Sequence, residues 1–258
     1  KTEGSIMSLI DTPRIRTCTN VRDLGGCDSP HGKTQAHRFV RCGATSSLTK
    51  IDLFRFRRWG VSRVLDLRSQ MESPRQTCRF SNQGWVTWEN VPFYEVDISA
   101  PTMVPARNVG NYLVSSYLYM LAVPATVCSV LEFCAQADKS QCVLFHCAAG
   151  MDRTGMVAML LLGLADVPRN QILADYCYSF APREAVDKAV LAYDPNGKAP
   201  QKDPNEDFSS YILHTRLEAI AAVYDTVVQT HGSVRRYLRS CDVPDSVLDA
   251  VLAHLVEP

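Results

Sequence analysis

Short runs of β-branched and aromatic residues alternate along this chain with longer segments whose apolar positions recur every three or four residues, the pattern of an α/β layer fold. Residues 38–42, 61–67, 85–94 and 142–146 predict strands. The helical period predicts helices over 48–59, 109–121, 125–137, 153–165, 169–180 and 211–230. Two short helices follow, over 233–240 and 245–255, so the C-terminal part is expected to be wholly helical. Two stretches break the pattern. Residues 97–107 hold two prolines where a strand ends, the usual place for an active-site loop. Residues 193–207 hold three prolines and alternating charge, which predicts a surface insertion or lid. Neither reads as a domain boundary, so a single domain over 1–258 is expected, with a central mostly parallel sheet flanked by helices.

Composition changes this picture little. At 258 residues, 46% hydrophobic and 21% charged, the chain can bury a large core without disulfides. Charge adds more. The formal net charge of zero excludes a generally basic nucleic-acid binder. Yet residues 14–79 carry fourteen Lys or Arg against five Asp or Glu, while 81–258 carry twelve against twenty. The basic first third is either a solvated face or a field that gathers an anionic substrate. The ten cysteines are scattered, without Cys-x-x-Cys pairs or zinc spacing, so reduced thiols and a cytoplasmic location are the default. Export is the alternative, should a signal have been trimmed ahead of Lys1. No run reaches the length of a membrane span.

The candidate chemistry lies in residues 142–155, CVLFHCAAGMDRTG: an apolar strand, a turn of small residues and an apolar helix. Between Cys147 and Arg153 stand Ala148, Ala149, Gly150, Met151 and Asp152. Gly150 lets the backbone curl so that successive N–H groups point inward, and with the positive end of the following helix they form a cradle for a tetrahedral anion. Such a cradle favours the thiolate of Cys147, a nucleophile. Arg153 supplies a permanently charged planar fork that matches two phosphoryl oxygens. Thr154 can stabilise the sulfur as a leaving group, and His146 at the strand end can fix the loop.

His-Cys-x-x-Gly-x-x-Arg-Thr-Gly between a strand and an apolar helix resembles the signature of the protein tyrosine phosphatases and their dual-specificity and lipid-phosphatase relatives. HCAAGMDRTG is similar in particular to the bacterial and fungal branch whose loop reads His-Cys-x-Ala-Gly-Lys-Asp-Arg-Thr-Gly. NVRDLGG (20–26), RCGATSSL (41–48), DLRSQME (66–72) and HGSVRRYL (231–238) resemble it too, so the likeness spans most of the chain. It implies the phosphatase fold and a metal-free, cofactor-free hydrolysis of phosphotyrosine, with phosphoserine and phosphothreonine as further substrates, through a cysteinyl-phosphate. Met151 departs from the pattern. The lysine expected there is associated in the family with phosphoinositides, so a phosphoinositide substrate is the weaker alternative; a docking module without turnover is another.

The leaving oxygen needs a general acid. Asp97 on the proline-containing loop and Asp152 inside the cradle are the candidates, and the resemblance favours Asp152. A salt bridge that holds Arg153 or the loop is the plain alternative for Asp152. Arg22 and Asp23 in NVRDLGG either approach the substrate or pair with each other. Arg41 and Arg68 are expected to be structural, and Tyr112, Tyr117 and Tyr119 to face the core. The oligomeric state is not written in the chain.

Overall fold

The computed structural model describes residues 6, 15–94, 109–193 and 207–257. Five strands form the main sheet: β1 (Arg22–Asp23), β4 (Phe39–Cys42), β5 (Val61–Asp66), β6 (Thr87–Asn90) and β7 (Cys142–His146), in the order β1-β4-β7-β5-β6. Four of them run parallel, and β1 is antiparallel to β4 at the edge. A second, three-stranded sheet joins β2 (Asp28–Ser29), β3 (Gly32–Thr34) and β8 (Val256–Glu257). This corrects the expectation of a wholly helical C-terminal part: the chain leaves its last helix extended and pairs with residues 33 and 34. Strands of two or three residues carry no period that a sequence can display.

Nine helices are described: α1 (Lys50–Arg58), α2 (Val109–Leu121), α3 (Pro124–Ala135), α4 (Asp152–Leu164), α5 (Arg169–Cys177), α6 (Arg183–Ala192), α7 (Phe208–His231), α8 (Val234–Ser240) and α9 (Asp245–Leu255). Helix α6 falls in the gap between two expected helices, and α7 starts three residues early because Asp207 caps the N–H groups of Ser209 and Ser210. Helix α5 stops three residues short of Phe180, ahead of Pro182. Most of the 193–207 stretch, and all of 97–107, including Asp97, lie outside the described residues.

Strand β7 explains the architecture. All five of its residues are buried, because successive side chains point to opposite faces and both faces are covered. Cys142 and Leu144 join α1's Leu53 and Phe56 and the loop residue Phe80. Val143 and Phe145 join the helices of the other face. Helix α4 runs through the middle of that larger core and is buried from Arg153 to Leu164, which is why it is apolar on every side. Its Gly155 allows close contact with α5, since a Cβ there would stand 2.7 Å from the Tyr176 ring. Tyr237, from the HGSVRRYL stretch, donates its hydroxyl to the Leu121 carbonyl at 2.7 Å and joins α8 to α2.

Candidate active site

Parallel strands of an α/β sheet deliver their carboxyl ends to one edge, where the connecting loops can build a site. Here β7 ends at His146 and the chain turns through Cys147–Met151 into α4. The turn is held from outside by its carbonyls. The Ala44 N–H donates to Ala148 O at 2.8 Å, Asn20 Nδ2 to Ala149 O at 2.9 Å, and Arg41 Nη2 to Gly150 O and Met151 O at 3.0 and 3.3 Å. Drawing the carbonyls outward turns the amide N–H groups toward the hollow, an anion-binding arrangement. Gly150 adopts φ +71°, and a Cβ on it would lie 2.6 Å from the backbone of Cys42 and Gly43. Only glycine meets both conditions, the left-handed backbone and the contact.

Cys147 is 2% exposed at the start of this turn. His146 Nδ1 donates to the Cys147 carbonyl at 3.1 Å. Its Nε2 faces Cys78 Sγ at 3.5 Å and Asp66 at 3.8 Å. Burial opposes a charge on this ring, but Asp66 and Cys78 outweigh it and raise its pKa to about 9, so the imidazolium persists at neutral pH. His146 is thereby tied to the first residue of the turn, Cys147.

Asp66, Cys78 and His146 come within 4.8 Å of one another, close enough to hold a metal ion, although their sequence positions show no ligand spacing. The chemistry of the trio favours a hydrogen-bonded charge cluster instead. Arg68 binds both carboxylate oxygens of Asp66 at 2.8 and 2.6 Å, and the charged ring has no lone pair to offer at Nε2. Arg68 is accordingly structural.

Arg153, 2% exposed, is gripped by Glu72, whose Oε2 and Oε1 accept from Nη1 and Nη2 at 2.5 and 2.9 Å. The guanidinium, with help from the Ser69 N–H, lowers the Glu72 pKa to about 2 despite its partial burial. Arg153 Nε and the neighbouring Thr154 Oγ1 are both buried without a hydrogen-bond partner. Glu72 stands within DLRSQME, but nothing local in the sequence marks its task, because its partner lies 81 residues away.

Asp152 opens α4, and its Oδ1 accepts from the Tyr117 hydroxyl on α2 and from Arg216 Nη1 on α7. The ion pair considered for Asp152 is therefore made with Arg216 and not with Arg153. Tyr117 also shares a 2.5 Å hydrogen bond with Tyr176, and Arg216 Nη1 donates to Tyr117 at 2.7 Å. Tyr117 is core, as expected, yet its hydroxyl is committed to this cluster; Tyr112 and Tyr119 are 36% and 56% exposed, contrary to expectation.

The pairing weighed between Arg22 and Asp23 does not form. Arg22 Nε donates to Asp175 at 2.8 Å and its Nη2 to Ser179 at 2.9 Å, while the Asp23 carboxylate accepts from the backbone N–H of Gly25 and His37. Asp23 is a turn residue, and burial raises its pKa. Asp175, buried between Arg22 and Arg41, is held below its usual pKa by those two charges against the cost of burial. Arg41, fully buried, is the link from this pair to the carbonyls of the turn that leads into α4.

A strand-turn-helix with a buried cysteine at its start and a clamped arginine at its end is an arrangement suited to cysteine-dependent hydrolysis of a phosphate ester. The family model described as the tyrosine phosphatase family matches residues 13–257, and the chain belongs to that family. It is a protein-tyrosine phosphatase, a hydrolase. A protein of Cupriavidus necator, provisionally named a tyrosine-protein phosphatase, is 29% identical over 230 residues, 86% of this chain and 81% of its own length. A tyrosine-protein phosphatase of Nostoc commune is 32% identical over 123 residues, 46% of this chain and 40% of its own. The triple specificity protein phosphatase PtpB of Mycobacterium tuberculosis is 32% identical over 113 residues, 42% and 41% respectively.

Proposed function

We propose that hydrolysis runs through a covalent cysteinyl-phosphate on Cys147. The thiolate attacks phosphorus, the S–P bond forms as the bond to the tyrosyl oxygen breaks, and Asp152 gives its proton to that leaving oxygen. Water then attacks phosphorus with Asp152 as base, the S–P bond breaks, and inorganic phosphate leaves. Arg153 and the inward amides of 148–153 carry the negative charge of both transition states. Thr154 donates to the departing sulfur.

The observation that carries this reading is the pair of adjacent buried groups without partners, Arg153 Nε and Thr154 Oγ1, beside Cys147. A buried unsatisfied donor costs about 1–3 kcal/mol, a cost that a bound phosphoryl group would relieve. Glu72 supports it by fixing the fork that such a group would meet.

Hydrolysis of an aryl phosphate by the wild type and by Cys147→Ser, with denaturing capture of a phosphorylated chain, tests the mechanism. The wild type should turn over and trap phosphate on cysteine, and the Ser variant should do neither. Turnover by Cys147→Ser, or none by the wild type between pH 5 and 7, sinks it. Asp152→Asn against Asp97→Asn identifies the acid: loss of the alkaline limb of kcat/KM, the side on which an acid that must stay protonated titrates, in the first alone supports Asp152.

A wider substrate range is the second reading. One relative carries "triple specificity" in its name, and the basic first third of this chain suits multiply charged phosphates. Met151 weighs against phosphoinositides, so phosphoproteins remain the principal class.

A further inference from the structure

Outside the catalytic turn, the most polarised part of the molecule is residues 41–80, with nine Lys or Arg against three acids. All three acids are engaged internally: Asp52 by Thr17, Thr49 and Arg55, Asp66 by Arg68, and Glu72 by Arg153. Helix α1 turns this surplus outward. Its inner face, Asp52, Leu53 and Phe56, is buried, and Asp52 is its one acid. Its outer face shows Lys50, Arg57 and Arg58 around Ile51 and Phe54, which are 64% and 59% exposed. Beside Phe54 lies an open depression of about 280 Å³ rimmed by Lys50, Arg57, Arg79 and Trp85, with the Arg57 guanidinium 5.5 Å from the Trp85 ring centre. Among the described residues, exposed Phe208 follows the capping Asp207, and exposed Leu191 sits on a helix whose charges balance, Arg183 and Lys188 against Glu184 and Asp187.

We propose that the outer face of α1 is a docking surface for a bilayer that contains anionic phospholipid. Ile51 and Phe54 enter the boundary between headgroups and acyl chains, while Lys50, Arg57, Arg58 and Arg79 meet phosphates, and the depression beside Trp85 has room for a headgroup. Charge complementarity selects an anionic partner. Two bulky apolar side chains that stand out from the helix surface, ringed by bases, favour a membrane over an acidic peptide. A short stretch of chain joins this helix to the turn, since the segment that precedes α1 donates the Ala44 N–H to Ala148. Docking does not depend on the reading of Cys147, and its test uses no turnover.

The test is co-sedimentation of the full chain with vesicles of phosphatidylcholine, with and without phosphatidylserine. The chain should pellet with the anionic vesicles and be released by salt. The triple variant Lys50→Gln, Arg57→Gln, Arg58→Gln and the double variant Ile51→Ser, Phe54→Ser should each weaken partitioning by about tenfold or more. An unchanged thermal midpoint will show that these exposed substitutions leave the fold intact. Equal pelleting with both vesicle types, equal pelleting of wild type and variants, or capture by polyglutamate without vesicle binding would overturn the proposal.

Discussion

Arg41 and Arg153 serve the same turn from different sides, and they are held in contrasting ways. Arg41 is wholly inside the protein, where burial pushes its pKa down to about 10, and its contacts are Asp175 and two loop carbonyls. Arg153 is nearly as buried, but its bond to Glu72 and the nearby Cys147 keep its pKa above the usual value against the cost of burial. Each has an Nε without a partner. An orphaned guanidinium nitrogen therefore does not by itself mark a ligand site. That of Arg153 gains its meaning from the orphaned hydroxyl of Thr154 next to it and the cysteine at the mouth. One arginine shapes the turn, and the other is the one we propose to meet the phosphoryl group.

Substitutions can separate these tasks. Arg41→Met should have the largest effect, a loss of about 3–5 kcal/mol of stability, because it leaves Asp175 buried with half its compensation and frees two carbonyls. Chemical denaturation would show it; a stable variant with only a catalytic defect would place Arg41 in the chemistry instead. Arg153→Lys should do the reverse, with kcat/KM for an aryl phosphate falling about 10²–10³-fold while the thermal midpoint moves little. Gly150→Ala is expected to cost roughly 1–3 kcal/mol, through the contact with Cys42 and Gly43 and the left-handed backbone, and to lower activity as the turn shifts.

Glu72→Gln should have the smallest effect, about 1–2 kcal/mol, and a pH dependence that identifies it. The folded pKa of Glu72 is depressed from 4.5 to about 2, so its charge stabilises the protein fully above 4.5 and loses that contribution as pH falls through 2. The stability gap between wild type and variant should close over that interval. A constant gap would mean that the carboxylate charge is not what holds Arg153.

The larger elements were legible in the sequence where their signal is local. Helices α2 and α9 and strand β7 begin and end where the apolar period and the flanking breakers put them. The turn between strand β7 and helix α4 was legible because strand, small residues and helix are contiguous, so Cys147, Gly150, Arg153 and Thr154 could be placed together from one segment. What supports the turn was not. Glu72, Asp175, Tyr117 and Arg216 reach it from elements far along the chain, and an ion pair between distant residues leaves no periodicity behind. For the same reason Arg22 and Asp23, neighbours in sequence, looked like partners; on a strand they point to opposite faces, and each found another.

The small sheet has a consequence for how the molecule assembles. Its third strand pairs Val256 with Thr34, and the Gln35 N–H bonds Leu255 at 2.8 Å, so the hairpin of β2 and β3 has an open edge until residue 256 has been synthesised and α9 has docked. Such a long-range closure is slow, and an unpaired strand edge can recruit another chain in the meantime. Nascent chains stalled before residue 255 should be prone to aggregation even though their Cys147–Arg153 turn is complete.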